Sequence, residues 1–262
     1  MDLGTMSVFT ALVDDAGLFP PTSLHMDEAL SRNERDLAKG GDVLTHRFLC
    51  PASRIDRLRG IAYRPRRIGL IVDTVKMPDF GDLPVDFVEM RLPPDSSVEE
   101  LVTGAGLPGH VRLFAEVTPT PRKMAIEVPG GVGLKVRCGG ASPEAFPPVE
   151  HLGQFIKFCV EHDIPFKATA GLHHAVRHFD PTLGVDRHGF LNLVLAVCEA
   201  VEGRDPAPVL RATDVGHLVR LARDVPEDTA KRARRLLVSY GSCSTSTPLD
   251  DLRTLGLIEE ET

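Results

Sequence analysis

Short apolar runs alternate along this chain with stretches whose apolar residues recur three and four positions apart. Residues 7–13 form the first run, read as strand one, which ends at Asp14-Asp15. Met26, Ala29, Leu30, Leu37 and Ala38 then recur at near-helical spacing, and Gly40-Gly41 stops that helix. Residues 44–50 make strand two, and Pro51-Ala-Ser53 opens a short helix reaching Leu58. Residues 67–73 are almost continuously apolar, as in a strand buried on both faces. Residues 85–91 make strand four, reached through a connection with Pro78, Gly81 and Pro84 that is short for a helical crossover.

Ser97 and Glu100 have the spacing of a capping box and predict a helix through Val102. Residues 112–117 are strand five, and the Pro- and Gly-rich stretch 118–133 carries no helix pattern. Strand six covers 133–138 and strand seven 164–169. Between them Val149, Leu152, Ile156, Cys159 and Val160 line one face of a helix. Phe190, Leu193, Val194, Val197 and Val201 mark another helix, and Thr213 caps a third with Val215, Leu218, Val219 and Ala222 on one side. Strand eight is 236–240, and Thr247-Pro248 opens a last helix with Leu249, Leu252 and Leu255 inward. Eight strands in 262 residues predict an α/β fold, a (β/α)8 TIM-type barrel forming a single domain over 1–262. There is no internal repeat, low-complexity tract or linker. The alternative, a doubly wound open sheet, calls for a glycine-rich phosphate loop after strand one. Asp14-Asp15-Ala-Gly17 stands there instead, and its two acids repel a pyrophosphate.

Composition narrows the function classes. A hydrophobic share of 42% and a charged share of 26% describe an ordinary globular chain. A net charge of -7, no Trp and two Tyr argue against nucleic-acid binding. Residues 1–10 have neither the basic region nor the apolar core of a signal peptide, and no apolar run is long enough for a membrane span. Five scattered cysteines without a CxxC suit reduced thiols in a cytoplasm and offer no cysteine zinc site.

The candidate chemistry lies inside the strands. Lys135 and Lys167 sit mid-strand in matched contexts, one helix-sized interval apart, which makes them neighbours in a parallel sheet. A buried ammonium must be paired or deprotonated, and two amines in one cavity push one towards the nucleophilic free base. The alternative is an internal ion-pair cluster without turnover, in which Glu116 could hold a lysine ammonium. Strand parity makes Lys135 and Arg137, Lys167 and Thr169, and Glu89 and Arg91 same-face pairs, and sets Asp86 and Glu89 on opposite faces. His173 and His174, just past Lys167, are candidate proton-transfer or substrate groups. Gly241, Ser242 and Ser244 precede a helix N-terminus and form a candidate anion site. Cys243 shares that loop, with no base tied to it by sequence.

These motifs resemble, in order, those of the deoxyribose-phosphate aldolase type of class I aldolase. The similar stretches are Leu134-Lys-Val-Arg-Cys-Gly-Gly140, Phe166-Lys-Ala-Thr-Ala-Gly-Leu-His-His-Ala-Val-Arg177, Gly241-Ser-Cys-Ser244, Val85-Asp86 and Glu116. Arg137 and Cys138 stand where that family has small hydroxyl residues. The resemblance implies a barrel fold, with Lys135 as Schiff-base lysine and Lys167 as the amine lowering its pKa.

The leading expectation is therefore a cofactor-independent carbon–carbon lyase or related carbonyl enzyme. Lys135, Lys167, Glu116, Asp86, Glu89 and His173 are its catalytic candidates. Arg91, Arg137, Thr169, His174, Gly241, Ser242 and Ser244 are the candidates for holding a small anionic aldehyde, ketone or phosphosugar. No cofactor and no metal are assigned, and the expected partner is the substrate, with neither nucleic acid nor membrane and with homo-oligomer formation left open. Two alternatives stand beside it. One is a metal-assisted hydrolase or isomerase built on Asp14, Asp15, Asp73 and the histidines; the other is a barrel that binds a metabolite without turnover.

Overall fold

Eight parallel strands close into a barrel in the computed structural model, which describes residues 8–120 and 126–259. In chain order the elements are β1 (Val13–Asp15), α1 (Met26–Lys39), β2 (Leu44–Pro51), a 3-10 turn (Ala52–Leu58), β3 (Ile68–Ile71), β4 (Val85–Arg91) and α2 (Val98–Ala105). Then come β5 (Arg112–Val117), β6 (Gly133–Arg137), α3 (Val149–Glu161), β7 (Phe166–Thr169), and a hairpin of β8 (His178–Asp180) and β9 (Val185–Arg187). The chain continues with α4 (Phe190–Val201), α5 (Ala207–Arg211), α6 (Val215–Arg223), α7 (Glu227–Leu236), β10 (Leu237–Ser242) and α8 (Ser246–Thr254). The barrel order is β1-β10-β7-β6-β5-β4-β3-β2, so β10 closes the ring against β1. Closure leaves no open sheet edge, which excludes the doubly wound alternative.

Local chemistry accounts for most boundaries. The predicted capping box forms: Ser97 Oγ accepts from Glu100 N at 3.1 Å, and Ser97 N donates to Glu100 Oε2 at 2.8 Å. Gly106, at φ 55°, ends α2 in the left-handed conformation. β3 and β4 pair in parallel although the loop 72–84 between them has no helix.

The structure moves several predicted elements. The first strand is Val13–Asp15, because Ala11 at φ 50° turns the chain after Val8 and Phe9, which are buried ahead of the strand. Asp14 therefore lies within the strand. Helix α6 is capped by Asp214, whose carboxylate accepts from His217 N at 2.9 Å, and Thr213 lies one residue outside. Helix α8 starts at Ser246, with Thr245 at the N-cap. The hairpin β8–β9, α5 and α7 have no counterpart in the periodicity reading; their short or polar segments carry little apolar repeat. Of the stretch 118–133, the described part contains no helix, and 121–125 lie outside the described residues.

Inside the ring, Leu49, Phe87 and Phe114 cluster with Ala16. The rings of Phe87 and Phe114 meet edge to face at 5.3 Å and 78°. Glycines make room for them. A Cβ at Gly69 would lie 2.5 Å from the Phe87 ring, and one at Gly133 would strike the Phe114 ring and lie 2.8 Å from Pro165 O.

Strand β4 carries a bulge. Ile68 pairs with Val85 and Gly69 with Phe87, so Asp86 is an extra, unpaired residue. Strict alternation would point Asp86 and Glu89 to opposite faces. The bulge breaks that parity and lets Asp86 Oδ2 accept from Arg47 Nε at 2.9 Å and Arg67 Nε at 2.7 Å. Arg47 in turn reaches the barrel interior.

Candidate active site

Lys135 and Lys167 are in direct register on β6 and β7, as their spacing predicts. Both side chains are buried, 5% and 1% exposed. Their ammonium groups meet different partners. Lys135 Nζ contacts Glu89 Oε2 and lies 2.9 Å from Glu116 Oε2. Lys167 Nζ contacts Asp14 Oδ2, donates to Ser239 Oγ at 2.7 Å, and sits 4.2 Å from the centre of the Phe87 ring. Ser239 Oγ donates onward to Asp14 Oδ2 at 2.6 Å. Asp14 Oδ1 accepts from Arg47 Nη1 at 2.7 Å and Thr45 Oγ1 at 2.6 Å. Glu89 joins the two halves, since its Oε1 lies 3.6 Å from Lys167 Nζ.

The electrostatics run opposite to the expected assignment. Burial by itself lowers the Lys135 pKa, but the Glu89 and Glu116 carboxylates outweigh it and raise it above the usual lysine value. At Lys167 burial is the largest effect and prevails over Asp14 and Glu89, so its pKa is lowered. Burial disfavours the Asp14 anion, yet Lys167 and Arg47 outweigh it and hold the carboxyl well below its usual range. Lys167 thus does not depress Lys135; two carboxylates hold Lys135 as an ammonium.

Above these groups, at the C-terminal ends of the strands, opens a cavity of about 430 Å³. Glu89, Lys135, Leu49 and Gly241 face it from the strands, and Phe19, Pro20 and Pro21 form part of its wall. Arg137, Thr169, His173, Arg187 and Cys243 complete the polar lining. His173 Nδ1 lies 3.5 Å from Cys243 Sγ. Burial, then the Arg187 guanidinium, lowers the His173 pKa, so it is a neutral imidazole at neutral pH.

Of the residues singled out from sequence, Lys135, Glu89, Arg137, Thr169, His173 and Gly241 line this cavity. Lys167 and Glu116 touch that set through Glu89 and Lys135. Asp86 joins only through Arg47. Four expectations are corrected. Arg91, at the end of β4, is exposed and does not line the cavity. His174 turns to Asp251, 3.4 Å away, and packs against His178. Ser242 Oγ donates to Ser244 O at 2.6 Å, and Ser244 Oγ accepts from Thr247 N at 3.1 Å, so both are consumed by their own turn.

The site also contains Asp14, Ser239, Arg187 and Cys243 beyond the predicted catalytic and binding set. Asp14 was misplaced by the shifted first strand. Ser239, two residues before Gly241 on the same strand face, was legible by parity. The Cys243–His173 contact joins residues 70 positions apart, which no local pattern reveals.

The acids and histidines of the metal alternative separate. Asp14 is committed to the lysine network, Asp15 binds Arg32 and accepts from Gly17 N at 3.0 Å, and Asp73 Oδ2 accepts from Ser53 Oγ at 2.6 Å. Among the described residues no group of three or more His, Cys, Asp or Glu is placed to hold a metal ion. No helix among them is long and apolar enough to cross a membrane. All five cysteines are free and buried.

No protein-family model and no curated protein matches this chain.

Proposed function

We propose that this barrel is a class I aldolase-like enzyme in which Lys135 forms an iminium with a small anionic aldehyde or ketone. The observation that carries the reading is a primary amine, Lys135 Nζ, at the floor of the mouth cavity and in contact with two carboxylates. Glu116 takes the ammonium proton, and the free amine attacks the carbonyl carbon. The carbonyl electron pair moves to oxygen, which takes two protons, one returned by Glu116 and one from the attacking nitrogen, and leaves as water when the iminium forms. A carbon–carbon bond then breaks with its electron pair entering the iminium, giving an enamine. The hydroxyl proton of the departing aldehyde passes to a carboxylate of the cluster. Protonation of the enamine and hydrolysis restore Lys135. Lys167 lies next to Glu89, its Nζ 3.6 Å from Glu89 Oε1, and its lowered pKa lets the ammonium give a proton to that carboxylate.

The raised Lys135 pKa favours a second reading. Lys135 stays an ammonium and polarises the carbonyl oxygen, while Glu116 moves a proton on the adjacent carbon. Borohydride trapping separates the two. Incubation with small aldehydes and ketones followed by reduction should leave a mass adduct on Lys135 that Lys135→Ala lacks. Turnover retained in a folded Lys135→Ala variant rejects both readings; turnover without any adduct in the wild type leaves the second.

A further inference from the structure

The turn expected to hold an anion is closed by its own groups. Ser244 Oγ takes the Thr247 amide, and it also accepts from Thr247 Oγ1 at 2.8 Å. Arg32 Nη1 holds the Cys243 carbonyl at 2.8 Å, and Thr245 Oγ1 donates to Asp36 at 2.6 Å. A phosphate at this helix N-terminus would have to displace that set.

Cationic donors face the cavity elsewhere. Arg137 shares the inward face of β6 with Lys135, one two-residue repeat (about 6.6 Å) further along the strand. It is exposed and has no carboxylate or hydrogen-bond partner among the described residues. Arg187 reaches the cavity from the β8–β9 hairpin. Asp180 Oδ2 holds its Nε and Nη2 edge, each at 2.6 Å, and the Phe146 ring lies 5.4 Å from its guanidinium carbon. Its Nη1 has no partner among the described residues. One guanidinium is therefore oriented in advance and the other is uncommitted, and both line the cavity that Lys135 reaches.

We infer that the site takes a small 2-oxo carboxylate, its carboxylate held by Arg137 and Arg187 and its keto carbon over Lys135. This rests on the proposed amine chemistry and names its substrate class. Planar guanidinium forks match a carboxylate with two parallel hydrogen bonds. The Lys135–Arg137 spacing places the anion beside the reacting carbonyl, whereas a phosphosugar carries its phosphate several carbons away. The hairpin that delivers Arg187 is the specificity element.

Two readouts test this on the full chain. Isothermal titration compares lactate, which has the carboxylate and no ketone, with inorganic phosphate. Lactate should bind saturably and phosphate more weakly. Arg137→Gln and Arg187→Gln should each weaken lactate about 10-fold or more, with Arg187→Lys in between. Arg137 has no partner to lose, so Arg137→Gln tests the idea without a folding penalty. Borohydride trapping then compares pyruvate with acetaldehyde at equal concentration. The wild type should trap pyruvate preferentially, and Arg137→Gln should bring the two towards parity. Absent lactate binding, lactate binding indifferent to both arginines, or tighter binding of phosphate overturns the substrate class. Arginine-dependent lactate binding with no adduct on Lys135 keeps the carboxylate site and rejects the iminium instead.

Discussion

Lys167→Met keeps the length and the apolar stem of the side chain but removes the ammonium facing Asp14. Asp14 is fully buried, so its charge cannot turn to solvent. Removing one partner of a buried ion pair costs about 3–5 kcal/mol. Here Arg47 Nη1, Thr45 Oγ1 and Ser239 Oγ still hold the carboxylate, which places the cost at the lower end, about 3 kcal/mol. The methionine sulfur would sit near the Phe87 ring, where such a contact returns about 0.5 kcal/mol. A net loss of about 2.5 kcal/mol lowers the melting temperature of a chain this long by roughly 5–10 °C.

The pH dependence carries a definite sign. The folded-state pKa of Asp14 is depressed, so its stabilisation is present above its unfolded value of 3.8 and is lost as pH falls through the folded value. Lys167 is depressed too, so the wild type gains stability as pH rises from its folded value towards 10.5. Lys167→Met weakens the first effect and abolishes the second. The stability difference should therefore shrink in acid and grow in alkali. Thermal scans of both proteins across pH measure it, with Asp14→Asn/Lys167→Met as the control. The double variant buries no lone anion and should be less destabilised than Lys167→Met alone. A melting shift under about 2 °C, or a difference flat across pH, would refute the coupling of Asp14 to Lys167.

Three further outcomes are expected. Glu116→Gln removes one of the two carboxylates that raise Lys135, so adduct formation should rise at lower pH than in the wild type; an unchanged or more alkaline profile rejects the ion-pair account. Iodoacetamide should alkylate Cys243, which lines the cavity beside His173, before Cys50, Cys138 and Cys198, whose thiols burial pushes up to about 12; peptide mass mapping reads the order, and earlier labelling of any of those three rejects it. Gly133→Ala drives a Cβ into the Phe114 ring and Pro165 O and should cost about 1–3 kcal/mol by urea unfolding; a neutral result means the ring layer is looser than its contacts imply.

Several parts of the site were legible before any fold was known. The two lysines could be placed side by side because each ends a helix-sized interval and sits mid-strand. Parity alone put Lys135 and Arg137 on one face, and it left open whether Asp86 or Glu89 turns inward. Parity failed at Asp86, where one extra residue in β4 reset the alternation. Asp14 was placed past the end of the first strand because the apolar run before it packs as buried chain ahead of the strand. Arg187 was missed because its hairpin strands are three residues each and only partly buried, too short to show an alternating pattern.

What this sequence determined by itself was local: which segments bury one face or two, where capping chemistry starts and ends helices, and that charged residues interrupt apolar strands. Those features depend on neighbours a few residues away, and a period of two or of 3.6 records them. What only the tertiary structure decided was pairing across the ring. Lys135 meets Glu89 and Glu116, which outweigh burial and raise its pKa, while Lys167 meets Asp14 and Ser239, where burial still prevails and lowers it. It depends on the register of eight strands and on the closure of β10 against β1, which joins residues at opposite ends of the chain. Burial then makes each pairing matter, because in a barrel interior the balance between desolvation and the nearest opposite charges decides whether an amine keeps its proton.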